Sequence, residues 1–203
     1  MKVTAIRALA VLLWAALLIA PWGRSALLAA QQPIRDGSVA AGTLSFDGHG
    51  SGGDFVGTTS TITGELKGAD EVSGVRGWVE APVRTLKTGN GRRDKDLNKS
   101  MQSDRYPTIR FDLSSVTEQK RRGDTVAVTL HGTFTIHGVT REATLPGTVA
   151  LLADAVHVRA DTPLNLKDYK IGGLKKLFGI LKMDEHIQVH VDLSFAPTTL
   201  SSR

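Results

Sequence analysis

The chain has 203 residues, enough for one domain, and it lacks cysteine, so disulfides, thiolate metal sites and thiol catalysis are excluded. The formal net charge is +5, but residues 1–30 hold three of the 25 basic residues and none of the 20 acidic ones. The rest therefore has 22 basic and 20 acidic residues, a net charge of +2, and we expect no nucleic-acid partner. The basic cluster Lys120–Arg122 precedes Gly123, and we interpret it as a solvated turn rather than a phosphate site.

Residues 1–30 have the pattern of a secretory signal peptide. Two basic residues precede an uncharged apolar run, Ala8–Ala20, whose 13 residues are too few to span a bilayer as a helix. The best candidate cleavage site follows Ala30, so residues 31–203 are predicted to form the exported domain. An uncleaved membrane anchor is the alternative that this pattern leaves open.

The first part of the exported domain alternates apolar and polar residues, which is the period of a half-buried strand. Leu44 and Phe46 mark a first strand, Phe55–Leu66 form a second, and Val75–Val83 form a third. The glycine-rich stretch 47–53 lacks the order of glycines and the context of a nucleotide-binding loop. We interpret it as a bend in a strongly coiled sheet.

A charged stretch at about residues 90–104 interrupts the strands and predicts a short helix. Asp94 is a candidate helix cap, Leu97 and Met101 are the main apolar anchors, and Pro107 ends the helix. The charges around Asp94 are predicted to be structural, forming caps and ion pairs rather than a catalytic cluster.

Five further strands are predicted at residues 108–116, 124–137, 143–151, 156–166 and 187–195. Each has one apolar and one polar face, and strands that bury only one side favour an antiparallel sheet. Together with the first three strands they make eight, and closure into a barrel removes the exposed edges. The prediction is therefore an all-β fold, an eight-stranded antiparallel barrel with one or two short helices.

Two stretches of the sequence also resemble the signatures of a known family. The first comprises Arg93-Asp94, Leu97, Tyr106-Pro107, Ile109 and Phe111. The second comprises Thr135-Ile136-His137-Gly138-Val139-Thr140 and Leu145-Pro146. With both motifs in this order and at this spacing, residues 38–196 resemble the YceI-like family. The resemblance implies a lipocalin-like barrel, secretion to the bacterial periplasm, and a lumen that holds a polyisoprenoid chain.

An eight-stranded barrel has an interior that is either filled by side chains or occupied by one ligand, and the residues alone leave both outcomes open. The stretch Asp124–His137 would extend roughly 45 Å at about 3.3 Å per residue, a height that suits an extended apolar chain. Gly132 and Gly147 face inward, either leaving volume unfilled or only permitting the barrel to coil. The family resemblance favours a cavity.

The predicted function is to sequester or carry a polyisoprenoid or isoprenoid-quinone chain in the lumen, with no other cofactor. The predicted wall residues share the inward parity of their strands. They are Phe46, Ile62, Val79, Ile109, Phe111, Leu113, Val128, Leu130, Phe134, Leu145, Val158, Leu164, Val189 and Val191.

A second amphipathic segment, residues 171–183, places four apolar residues on one helical stripe: Leu174, Leu177, Phe178 and Leu181. One interpretation is a short helix that plugs one end of the barrel. The other is a mobile lid that makes transient contact with an anionic membrane surface through its lysines. In the second case, neutralising Lys175, Lys176 and Lys182 should slow lipid uptake from anionic vesicles, and unchanged uptake would exclude membrane contact.

Histidine is the remaining candidate for chemistry. Four of the six histidines fall on the polar faces of predicted strands: His131, His157, His186 and His190. No metalloprotease or nucleophile-elbow motif accompanies them, so we predict neither a metal site nor an enzyme. Two alternatives to a lipid carrier stay open: a ligand-free envelope stress protein that acts through its outer surface, and a histidine-dependent periplasmic enzyme.

Overall fold

A computed structural model of the protein describes residues 33–50, 52–172 and 184–198. The predicted signal peptide and the four apolar residues of the candidate lid lie outside these ranges. Within the described residues, no helix has the length and apolar character needed to cross a membrane.

In the described part of the chain, nine antiparallel strand segments form one sheet, and pairing of the first with the last closes it. The segments are β1 (Gly37–Gly48), β2 (Phe55–Thr59), β3 (Thr63–Lys67), β4 (Arg76–Pro82), β5 (Thr108–Arg122), β6 (Thr125–Ile136), β7 (Val139–Leu151), β8 (Val156–Asn165) and β9 (His186–Pro197). Single turns of 3-10 helix lie at Val72–Gly74, Val83–Thr85 and Leu166–Tyr169.

Segments β2 and β3 act as one barrel strand. Leu44 of β1 pairs with Thr59 of β2, and Ser38 of β1 pairs with Glu65 of β3. The two pairings share one register, so a short break in the ladder separates two parts of the single strand predicted at Phe55–Leu66. The structure therefore confirms a closed eight-stranded antiparallel barrel.

Bulges change the inward parity within two of the strands. The register of β1 against β9 shifts between Val39 and Ala41, and that of β5 against β6 shifts between Leu113 and Ser115. A bulge adds one unpaired residue to its strand. As a result Val116, which falls on the outward parity of the unbroken sequence pattern, is buried.

The predicted helix is α1 (Gly91–Ser100), and its cap differs from the prediction. Asn90 has extended backbone angles and its side chain accepts hydrogen bonds from two N–H groups of the first helical turn. Asp94 lies inside the helix, where its carboxylate accepts from the Thr88 N–H at 2.9 Å and the Thr88 hydroxyl at 2.7 Å. These bonds hold the pKa of Asp94 below its usual value and fix the preceding loop to the helix.

The two family-like motifs meet at one end of the barrel. The Tyr106 ring lies edge-on to His137 with 4.6 Å between ring centroids. His137 and Gly138 form the two-residue β6–β7 turn with φ of 53° and 72°, as the turn type of a tight hairpin requires. This end, which also carries α1, is called the helix end below; the opposite end carries the β5–β6 and β7–β8 turns.

Candidate ligand-binding cavity

The barrel contains a cavity of about 200 Å³. Alternate side chains of each barrel strand point into it, because successive residues of a strand face opposite sides of the sheet. Nearly all of these side chains are aliphatic or aromatic. Polar residues at the cavity are few: Ser45, Glu65, Arg76, Glu80 and Ser100.

Every predicted wall residue except Val128 lines this cavity. The lining residues are Phe46, Ile62, Val79, Ile109, Phe111, Leu113, Leu130, Phe134, Leu145, Val158, Leu164, Val189 and Val191. Val128 is buried but does not reach the cavity, and neither does its fully buried neighbour on the same face, Val126. At the start of β6 the side chains that face the interior are therefore tightly packed. The cavity begins at Leu130.

The inward glycines do not create the cavity. Neither Gly132 nor Gly147 lines it. A Cβ on Gly132 would lie 2.2 Å from the Asp112 carbonyl oxygen, and one on Gly147 would lie 2.4 Å from the Arg159 carbonyl oxygen. Both glycines therefore allow a close approach of neighbouring strands, which supports the coiling interpretation of these residues.

Several lining residues lie outside the strands, so alternation along a strand does not identify them. They come from α1, from the loops and from the lead-in segment: Ile34, Val72, Leu86, Leu97, Met101 and Ile171. The apolar anchors of the charged helix, Leu97 and Met101, are the sequence signal that identifies two of them. Both are less than a tenth exposed and close the cavity at the helix end.

Gly172 and Asp184, the described residues that flank the candidate lid, are both hydrogen-bonded at the helix end. The Ser100 hydroxyl donates to the Gly172 carbonyl at 3.5 Å, and the Asp184 N–H donates to the His49 carbonyl at 2.7 Å. The glycine-rich bend after β1, Gly172 and Asp184 therefore lie at this end of the barrel.

The strand histidines lie on the outer surface of the barrel. His190 bonds Asp161 at 2.6 Å and Asp47 at 3.1 Å, and these contacts raise the pKa of its imidazole. His157 bonds Asp192 at 2.5 Å, which lowers the pKa of that carboxyl. No histidine is among the described residues that line the cavity. The described part of the chain also has no group of three side chains that could hold a metal ion.

The closed antiparallel barrel and its apolar interior define the class of lipocalin-like β-barrel proteins. A sequence model of the YceI-like domain matches residues 38–195, and the chain belongs to the YceI-like family.

Solved structures share the fold at low sequence identity. BcnA of Burkholderia cenocepacia is similar with a TM-score of 0.63 and 15% identity, over 76% of this chain and 95% of that one. A polyisoprenoid binding domain from Saccharophagus degradans, implicated in plant cell wall breakdown, has a TM-score of 0.64 and 13% identity, over 81% of this chain and 99% of that one. Comparison with curated protein sequences gave no match.

Proposed function

We propose that this protein is a periplasmic lipid-binding protein that sequesters or carries a polyisoprenoid or isoprenoid-quinone chain in its barrel. The observation that carries the proposal is the cavity inside the barrel, whose wall is formed by apolar side chains from all the barrel strands. Family membership and the fold shared with the polyisoprenoid binding domain support it. The protein acts by binding and not by catalysis.

Burial of hydrocarbon supplies the affinity. Each methylene removed from water contributes about 0.8 kcal/mol, so several isoprene units bind with few polar contacts. A cavity of about 200 Å³ is smaller than the ~300–1,000 Å³ of a typical small-molecule site. It suits a slender chain that extends beyond the cavity better than a compact ligand.

Export to the periplasm and membrane contact belong to the same proposal. The signal-peptide pattern of residues 1–30 supports export, and the apolar stripe of residues 171–183 supports a lid that contacts the membrane. Gly172 and Asp184 lie at the helix end, and a lid between them would control access to the cavity there.

Mass spectrometry of an organic extract of the purified protein tests the proposal. We expect an isoprenoid lipid, in an amount close to that of the protein and absent from an extract of an unrelated exported protein. An extract without lipid, from protein that also fails to take up added polyprenol, would contradict the proposal and favour a role of the outer surface. Loss of a measured activity on addition of a chelator would instead favour an enzyme.

A further inference from the structure

Basic residues are concentrated in the segment that contains α1, residues 84–105. This segment holds seven basic and three acidic residues, a net charge of +4, whereas the other residues of 31–203 include 15 basic and 17 acidic ones, a net charge of −2. The positive charge therefore lies at the helix end, where we propose lipid access. A positive surface on a nearly neutral protein favours a negatively charged partner.

Three cations of α1 lie on the helix face that points away from the barrel. Arg92, Lys95 and Lys99 are exposed, and their spacing of three and then four residues places them on one helical face. On the opposite face, Leu97 and Met101 are buried and line the barrel cavity. One face of the helix therefore closes the cavity, and the other presents three positive charges to the surroundings. We call Arg92, Lys95 and Lys99 the basic stripe.

The cations of the basic stripe are available to a partner. Within the described part of the chain, no ion pair involves any of the three. Two neighbouring arginines are engaged instead: Arg84 pairs with Asp104, and the Arg93 guanidinium lies 4.1 Å from the centre of the Phe55 ring. The charges of the stripe are therefore not neutralised by the fold in the way that those of its neighbours are.

The two acidic residues of α1 reduce the charge of the exposed face only in part. Asp94 is turned toward the preceding loop, where its carboxylate accepts hydrogen bonds from Thr88. Asp96 is half-buried beside the basic stripe. Even with the charge of Asp96 counted in full, the exposed face of the helix retains a net charge of +2.

The basic stripe fits the surface of an anionic membrane better than it fits a protein partner. A stable protein interface has an apolar core. The large apolar side chains that are exposed in the described chain, Val56 and Leu152, lie on β2 and in the β7–β8 turn and not on α1. Charge alone gives a reversible attachment to phospholipid phosphates, with a gain of about fivefold per cation. Reversible attachment suits a carrier that docks, exchanges its lipid and leaves.

We propose that the basic stripe docks the helix end of the barrel on the surface of an anionic membrane. The inference rests on the function proposed above and assigns the electrostatic part of the membrane contact to α1. Docking through the outer face of α1 brings the helix whose inner face closes the cavity into contact with the membrane. Lipid then passes between the membrane and the cavity at this end of the barrel.

Sedimentation with lipid vesicles tests this docking directly. The purified exported protein is mixed with vesicles of phosphatidylcholine alone, or of equal parts of phosphatidylcholine and anionic phosphatidylglycerol. We expect binding to the anionic vesicles that weakens as salt is added, and little binding to the neutral ones. Arg92→Gln with Lys99→Gln should weaken binding to anionic vesicles about tenfold to thirtyfold, as expected for the loss of two cations near an anionic surface.

The matched control removes one arginine and one lysine at the opposite end of the barrel. It is Arg122→Gln with Lys120→Gln, and both side chains are exposed at the β5–β6 turn. The net charge changes equally in the two double variants, so a difference between them measures the position of the charges and not their total. The control should bind anionic vesicles almost as tightly as the unmodified protein does. Circular dichroism checks that both double variants are folded.

The outcomes separate docking from the function on which it rests. Equal binding to both kinds of vesicle, or an equal loss in the two double variants, would overturn docking by the basic stripe. A loss confined to a variant in which Lys175, Lys176 and Lys182 are changed to glutamine would also overturn it. Binding of polyprenol presented in detergent, without a membrane, tests the cavity by itself. Its absence in the unmodified protein would overturn the proposed function and leave the vesicle result in place.

Discussion

Single residues explain why two motifs that lie apart in the sequence belong together. Gly138 has a φ of 72° and lies under the Tyr106 ring, with no room for a side chain. His137 is buried beside it, and its Nδ1 lies 3.0 Å from the Tyr169 carbonyl. The turn of the β6–β7 hairpin is thereby fixed to the loop that follows α1 and to the segment that follows β8.

The role of Gly138 gives a prediction with an internal control. Gly138→Ala requires alanine at positive φ, which costs about 1 kcal/mol, and places its Cβ 2.4 Å from Tyr106. Overpacking of this kind adds about 1–3 kcal/mol. Gly123→Ala has a similar φ, 60°, but meets no atom within 4 Å. We expect urea unfolding to give a loss of about 1 kcal/mol for Gly123→Ala and a clearly larger loss for Gly138→Ala. Equal losses would mean that Tyr106 moves aside without cost.

At the scale of elements, the outer face of the barrel is held by charged side chains that cross strands. His190 of β9 lies between Asp47 of β1 and Asp161 of β8, and bonds both carboxylates. On the same face, Asp192 of β9 bonds His157 and Arg159 of β8. The strand pair that closes the barrel, β1 with β9, therefore includes a titratable contact.

This contact predicts a pH dependence of stability. The pKa of His190 is raised, first by the hydrogen bond to Asp161 and then by that to Asp47. A raised pKa in the folded state stabilises the fold fully below the unfolded value of about 6.5, and this contribution is lost as the pH rises through the folded pKa. The unfolding midpoint of the unmodified protein should therefore fall as the pH rises above about 6.5. In His190→Gln this fall should be smaller. The effect should be small, because solvent screens a partly exposed pair.

The control for this prediction is His131→Gln on β6. The His131 ring lies 3.0 Å from the Thr117 hydroxyl, with no carboxylate in that contact. Both variants replace a histidine on the outer surface by glutamine, so a difference between their pH profiles measures the contacts of His190 with Asp47 and Asp161. If the unfolding midpoint of His190→Gln falls with pH as steeply as that of the unmodified protein, groups other than His190 determine the pH dependence of stability.

The strands could be predicted from sequence because each buries one face, and alternation records burial directly. Local irregularities of the backbone break this pattern. Strand alternation places Val116 on the outer face, but a bulge between Leu113 and Ser115 reverses the parity of the strand, and no residue type marks that bulge. Asn90 rather than Asp94 caps α1 because the cap must have extended backbone angles, which depend on where the helix starts.

For the whole molecule, the sequence indicates a lumen but leaves its size undetermined. Val128 and Leu130 share one strand, one face and one chemical character, yet only Leu130 lines the cavity. The distinction arises from how closely the opposite walls approach, which depends on the side chains of distant strands.

Binding in the lumen should couple to the stability of the entire barrel, because the cavity exists only in the folded state. A ligand that binds only this state adds about 2.7 kcal/mol to the free energy of unfolding when its free concentration is about 100 times Kd. Thermal unfolding of lipid-extracted protein, with and without added polyprenol, measures this increment. It should be present in the unmodified protein and vary with polyprenol concentration.

A pair of tryptophan substitutions locates the binding that produces this increment. Phe134 lines the cavity and packs against Phe111 with 4.8 Å between ring centroids, so Phe134→Trp adds bulk where the chain would lie. Thr133→Trp adds the same ring to the outer face of the same strand. We expect the increment to persist in Thr133→Trp and to be largely lost in Phe134→Trp, with the circular dichroism of a folded barrel in both. Because both variants carry the same added ring, a full increment in Phe134→Trp would mean that polyprenol binds elsewhere on the molecule.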